Sequence, residues 1–145
     1  MAQRRVMNVA DVVPFSLPGW EGKFESRLLV DRDALGSEKL TVNHFTLKVG
    51  QKTPLGSHGA PYDEVYYVLR GRAILTIADP DATQYDVGPG TVACIPAECN
   101  HQIETVGTED LEIITIMPGN PEPGINAVYD QRREKWGTSL RLVNE

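Results

Sequence analysis

From Arg27 onward the chain alternates short apolar runs with clusters of turn-forming residues. RLLV (27–30) is followed by the turn-rich connector DRDALGSE (31–38) and then by KLTVNHFTLKV (39–49), a long run of β-formers. EVYYVLR (64–70) ends at Gly71 and AILTIA (73–78) at the DPDA turn. TQYDV leads into Gly88-Pro89-Gly90, and TVACIP (91–96), HQIETV (101–106) and LEIITIM (111–117) complete the series. The runs predict about eight short strands with turns every ~8–12 residues and no intervening helical period. Such a pattern predicts an all-β antiparallel sandwich or barrel, not an α/β fold.

The flanks read differently. Residues 1–26 form an irregular N-terminal arm broken by Pro14, Pro18 and Gly19, with Phe15, Trp20 and Phe24 expected to pin it to the core. Residues 118–145 form a tail that opens on the extended, Pro/Gly-rich PGNPEPG; DQRREKW (130–136) predicts one or two helical turns, and SLRLV (139–143) a late edge strand or packed segment. A chain of 145 residues fits one domain, with a barrel core of about 27–117. There is no internal repeat and no low-complexity block.

Charge narrows the partners. A net charge of −6 with scattered Lys and Arg argues against nucleic acid. No basic amphipathic run suggests a membrane surface, and no apolar run approaches the ~18–20 residues that span a bilayer. The N-terminal stretch MAQRRVMNVADVVPF lacks a long apolar segment, so no secretory signal is expected there. Cys94 and Cys99 share one short segment and read as reduced thiols of a cytoplasmic protein.

Two stretches carry the candidate chemistry: GQKTPLGSHGAPYDEVYYVLRG (50–71) and YDVGPGTVACIPAECNHQIET (85–105). Glu64, six residues and Gly71, then Gly90, five residues, Pro96 and His101 resemble the two motifs of the cupin superfamily, and VYYVLRGRAIL (65–75) is typical of that family. The resemblance covers roughly residues 40–117 and implies a double-stranded β-helix, or jelly-roll, barrel, with a homodimer as the expected assembly. There are departures. The family's His-x-His pair is reduced to a single His: counted back from Glu64, His58 takes the first slot and Ala60 the second, whereas counted forward from Pro54, Gly56 takes the first and His58 the second. Residues 56, 58 and 60 share a face, so parity leaves both readings open, with the TPL lead-in favouring the second. Thr105 replaces the final Asn of motif two, and Glu98 stands where the family often has Gly.

By resemblance the metal ligands are His58, Glu64 and His101. Two imidazoles and a carboxylate suit a divalent transition metal such as Fe, Mn, Ni, Co or Zn, with open positions for water or substrate. Asp63 is expected to be exposed or to hydrogen-bond a loop. Cys99 reads as pocket lining, soft ligand or small hydrophobe, and Cys94 as core. Tyr66 shares parity with Glu64 and is expected beside it, its hydroxyl serving either substrate or structure, while Tyr67 points the other way. His44 lies mid-strand, opposite in parity to Phe45 and Leu47, and reads either as a barrel-lining base or as a structural His. Glu64, Tyr66 and His44 are thus the candidate catalytic groups.

The leading expectation is a metal-dependent isomerase, epimerase or lyase acting on a small oxygenated substrate, a sugar or hydroxy-carbonyl compound. The alternatives are a non-haem metal dioxygenase and a non-catalytic small-ligand-binding cupin with a degenerate metal site. Fold alone does not choose among them.

Overall fold

The computed structural model describes residues 3–57 and 62–145. Eight strands stand among the described residues: β1 Phe24–Val30, β2 Leu40–Leu47, β3 Glu64–Arg70, β4 Arg72–Ala78, β5 Ala82–Val87, β6 Val92–Ile95, β7 His101–Val106 and β8 Leu111–Pro118. They form a five-stranded sheet in the order β1-β2-β8-β3-β6 and a three-stranded sheet in the order β5-β4-β7, with antiparallel pairing throughout. This is the two-sheet β-barrel that the alternation of apolar runs and turns predicts. No helix of the described residues is long and apolar enough to cross a membrane.

Period-2 alternation decides which face is inside. Phe45 pairs with Ile113 and Ile113 with Val68, and all three are buried between the sheets with Leu47, Leu75, Ile95 and Ile103. The next cross-sheet row, Asn43, Thr115, Tyr66 and Ala93, has the same parity and therefore lies on the inner face. The loop after β2 joins the small sheet through bridges from Lys52 to Glu104 and from Gly56 to His101, which carries it along β7.

Two turns depend on positive φ. Gly71, between β3 and β4, has φ +84°, and a Cβ there would lie 2.5 Å from the Asp110 carbonyl oxygen. Glu98, where the family often has Gly, adopts φ +66° without being Gly. Thr105, in place of the family's Asn, is buried and donates to the Leu47 carbonyl at 3.1 Å, tying the sheets together.

The arm and tail close one side of the barrel. Phe15 is buried and bridges to Ser26, Val12 bridges to Leu142, and Trp20 and Phe24 pack on the core, as their aromatic character led one to expect. The tail helix is longer than one or two turns: α1 spans Ala127–Trp136. The Asn126 side chain caps its start by accepting from Tyr129 N at 3.0 Å, and Gly137 ends it at φ 73°. Its buried residues are Tyr129 and Arg132, one turn apart on one face. Tyr129 donates to the buried Asp31 carboxylate, which also accepts from Ser139 at 2.7 Å.

Candidate functional site

Between the sheets, under α1, lies a cavity of about 260 Å³. The inner row of the large sheet supplies Asn43, Thr115 and Tyr66; β1 supplies Ser26, β3 Glu64 and β7 His101. Trp20, Phe24 and Phe45 form an apolar wall, and residues 125–129 with Arg132 cover it from the helix side. A mostly apolar pocket with a few convergent polar groups is the usual form of a small-molecule site.

Glu64 opens β3 and points inward opposite Ile95. His101 opens β7, its backbone locked to Gly56 by hydrogen bonds of 2.8 and 3.1 Å. The two side chains are almost fully buried, with Nε2 of His101 4.0 Å from Oε1 of Glu64. Nδ1 of His101 lies 3.1 Å from the Cys99 carbonyl. As a donor to that carbonyl, Nδ1–H turns Nε2 toward Glu64 as the basic nitrogen. Neighbouring ligands on bonds of ~2.1 Å stand roughly 3.0–3.4 Å apart, so at 4.0 Å the two atoms are set wider than an adjacent pair on one ion. Among the described residues no group of three His, Cys, Asp or Glu could hold an ion. His58 lies outside the described residues, as do Gly59, Ala60 and Pro61, so both slot assignments of His58 rest on the sequence.

Tyr66 sits beside Glu64 as its parity predicts. Burial first, then the charge of Glu64 and a hydrogen bond to it, push the Tyr66 hydroxyl well above the ordinary tyrosine range. Its ring packs edge-on against both Phe45 and His101, with centroids 5.9 and 6.1 Å away. Tyr67 points outward and is half exposed.

His44 is on the other face. It pairs with Ile114 in the row that runs on through Tyr67 to Val92, outside the cavity, and its Nε2 meets Glu112 at 3.2 Å. Because Phe45 and Leu47 point inward, period-2 geometry turns His44 away. Cys94 is likewise a correction: it is exposed on the outer face of β6, not core. Cys99 contributes its carbonyl to His101, and burial raises its thiol above the ordinary value. Asp63 is exposed and accepts from Ala97 N at 2.9 Å, holding the loop before β7.

The residue that sequence reasoning missed is Arg132. It is 1% exposed, donates to Ser26 Oγ at 2.8 Å and lies 3.4 and 3.5 Å from Asn43 Oδ1. Burial lowers its guanidinium to about 10. The available signal was its spacing from Tyr129 in a short, highly charged helix: the face that carries Tyr129 also carries Arg132.

A family model described as a cupin domain matches residues 43–117. In fold, the chain is similar to a predicted oxalate decarboxylase from Thermotoga maritima at 20% identity and a TM-score of 0.66, covering 79% of this chain and 99% of that one. It is similar to oxalate decarboxylase from Bacillus subtilis, described there with Mn(II) centers, at 21% identity and a TM-score of 0.62, covering 69% of this chain and 27% of that one. A chain from the DMSP lyases RdDddP and RnDddQII is 22% identical with a TM-score of 0.59, covering 66% of this chain. The present chain spans about half of that lyase chain, 47%. No curated protein matches the sequence.

Proposed function

The chain belongs to the cupin family, and from that premise we propose that it is a metal-dependent enzyme acting on a small oxygenated, hydroxy-carbonyl substrate by isomerase, epimerase or lyase chemistry. The observation that carries this reading is the buried Glu64–His101 pair, 4.0 Å apart at one end of a small, largely apolar cavity. Burying a carboxylate and an imidazole together is costly unless something is gained from the pair, and functional sites are where such arrangements concentrate.

Glu64 and His101 would hold the ion, with His58 the third ligand by family resemblance. A bound divalent ion supplies Lewis acidity at a substrate carbonyl or hydroxyl oxygen. The chain's own groups do the rest. Cys99 fixes the His101 ring through its carbonyl. Tyr66 keeps its proton, so it acts as a hydrogen-bond donor that orients Glu64 and not as a base. Of the three candidate bases, His44 lies across the sheet and Tyr66 stays protonated, which leaves Glu64 to accept a substrate proton. Trp20, Phe24 and Phe45 keep bulk water from the reacting end.

The test is elemental analysis of the purified protein beside Glu64→Gln and His101→Ala, with turnover of a hydroxy-carbonyl panel measured with and without oxygen. Wild type should carry a divalent metal in near-stoichiometric amount, both variants should lose most of it, and turnover should persist anaerobically. A metal-free wild type, or full occupancy in both variants, would sink the metal reading. Strict dependence on oxygen would move the enzyme to the dioxygenase class.

A further inference from the structure

Arg132 is a buried cation whose hydrogen-bond partners are all neutral; the Phe15 ring lies 5.9 Å from its Cζ, and the Asp31 charge acts on it without an ion pair. Its acceptors among the described residues are the Ser26 hydroxyl and the Asn43 amide oxygen, the latter at the long distances of 3.4 and 3.5 Å. It takes part in none of the ion pairs among the described residues. Its Nε–H is buried with no hydrogen-bond partner. The nearest acid on its own side, Asp31, is already committed to Tyr129, Ser139 and the Ala34 amide. A guanidinium has five N–H donors in a fixed fork matched to a carboxylate, and leaving a buried donor unsatisfied is unfavourable.

The cavity gives that cost a purpose. Arg132 lines it together with Ser26 and Asn43, and the first turn of α1 lines it too, adding the positive end of the helix dipole. Asp130 in that turn accepts from Gly124 N and does not line the cavity. Asn43 and Tyr66 belong to one cross-sheet row, separated by β8, so their backbones stand about 10 Å apart, two strand spacings of ~4.8 Å. Arg132 and the Glu64–His101 pair line the same cavity of about 260 Å³.

We propose that Arg132 is the anion-recognition residue of this cavity and that the substrate is a small carboxylate, a hydroxy- or oxo-acid of two to four carbons. The carboxylate meets the Arg132 guanidinium, and the hydroxyl or carbonyl oxygen faces Glu64 and His101. Only that second contact rests on the metal-enzyme reading; the carboxylate contact stands on Arg132 alone. The guanidinium remains charged at neutral pH despite its burial, as anion binding requires.

The experiment is calorimetric titration of the whole chain with glycolate, lactate and glycerate, each beside its uncharged amide, on Mn(II)-loaded and on EDTA-treated protein. At least one acid should bind ten- to hundredfold more tightly than its amide, roughly the value of a charge-assisted hydrogen-bonded pair. Arg132→Gln should lose that preference and Arg132→Lys keep part of it. Should Arg132→Gln fail to fold, the buried Nε–H resonance of the wild type, identified by its absence from Arg132→Lys, supplies a second readout. It should shift on adding acid and stay still on adding amide. A purely structural Arg132 would produce neither the preference nor the shift. If no acid of the panel outcompetes its amide tenfold, the proposal is overturned, even where Mn(II) binds and the metal reading stands. If the preference persists in EDTA-treated protein while no metal binds, the metal reading fails and the carboxylate site stands.

Discussion

Replacing Gly71 by Ala tests how tightly the turn after Glu64's strand is bound to the rest of the barrel. Two costs add. Holding an L-residue at φ +84° costs about 1–2 kcal/mol. The new Cβ would also stand 2.5 Å from the Asp110 carbonyl oxygen and 2.9 Å from the Leu111 Cα, backbone atoms that cannot swing aside. Asp110 is itself held, accepting from Val49 N at 3.0 Å and Lys48 Nζ at 3.1 Å, and Leu111 is fully buried. Forcing such a site apart costs about 1–3 kcal/mol. Ala returns about 0.4–1 kcal/mol by restricting the unfolded chain. The expected loss is therefore about 2–4 kcal/mol. Gly90→Ala is the internal control: φ is +86°, but nothing lies within 4 Å of a Cβ there. It should lose only about 0.5–1.5 kcal/mol, the backbone cost alone. Urea unfolding followed by tryptophan fluorescence, with unchanged m-values, reads both. Equal losses in the two variants would refute the steric argument and place Asp110 in a more yielding turn than its hydrogen bonds imply.

Glu98→Gly should stabilise the protein by about 0.5–1 kcal/mol, seen as a rise in Tm, because Glu98 is exposed and its φ of +66° suits Gly. Tyr129→Phe should cost about 1–3 kcal/mol near neutral pH by taking a donor from buried Asp31. Burial, aided by Asp31, raises the Tyr129 hydroxyl to about 12, so the folded state keeps a proton that the unfolded state gives up near pH 10. The stability owed to that hydroxyl is present below pH 10 and lost toward pH 12, so the gap between wild type and Tyr129→Phe should narrow across that window in urea titrations. Arg132, lowered to about 10 by burial, works in the opposite direction over part of the same range, and because Tyr129 raises it, the difference between the two proteins carries an Arg132 contribution as well. His44→Gln should leave metal occupancy and turnover within about twofold of wild type, since the ring faces away from the cavity; a tenfold loss would place His44 in the site after all.

What the sequence makes legible is what local geometry dictates. The bounds of β3 and β7 read directly from their apolar runs, and Glu64 is fixed inward by its register to Gly71 and its shared parity with Tyr66. Parity goes wrong only where the reference face is chosen loosely. His44 stays open between a pocket base and a structural His until Phe45 and Leu47 are recognised as core, which turns it outward. Cys94 fails for a related reason: β6 is an edge strand of four residues, with one face open to solvent, and an apolar run does not say which face is covered. Arg132 is invisible for a different reason. It acts through a contact with Ser26 and Asn43, 106 and 89 residues away, and no local pattern encodes where a tail folds back.

The closing of the barrel by α1 also has an evolutionary side. The stretch that matches the family, 43–117, contains Glu64 and His101, whereas Arg132 and the helix that carries it lie beyond its end. On the proposed reading, the reactive pair and the carboxylate-recognising Arg132 therefore sit on separate segments. A descendant could exchange residues 118–145, keep every donor at the reactive end and accept a different family of molecules. The barrel would serve as the constant part of a lineage, and the tail as its variable part.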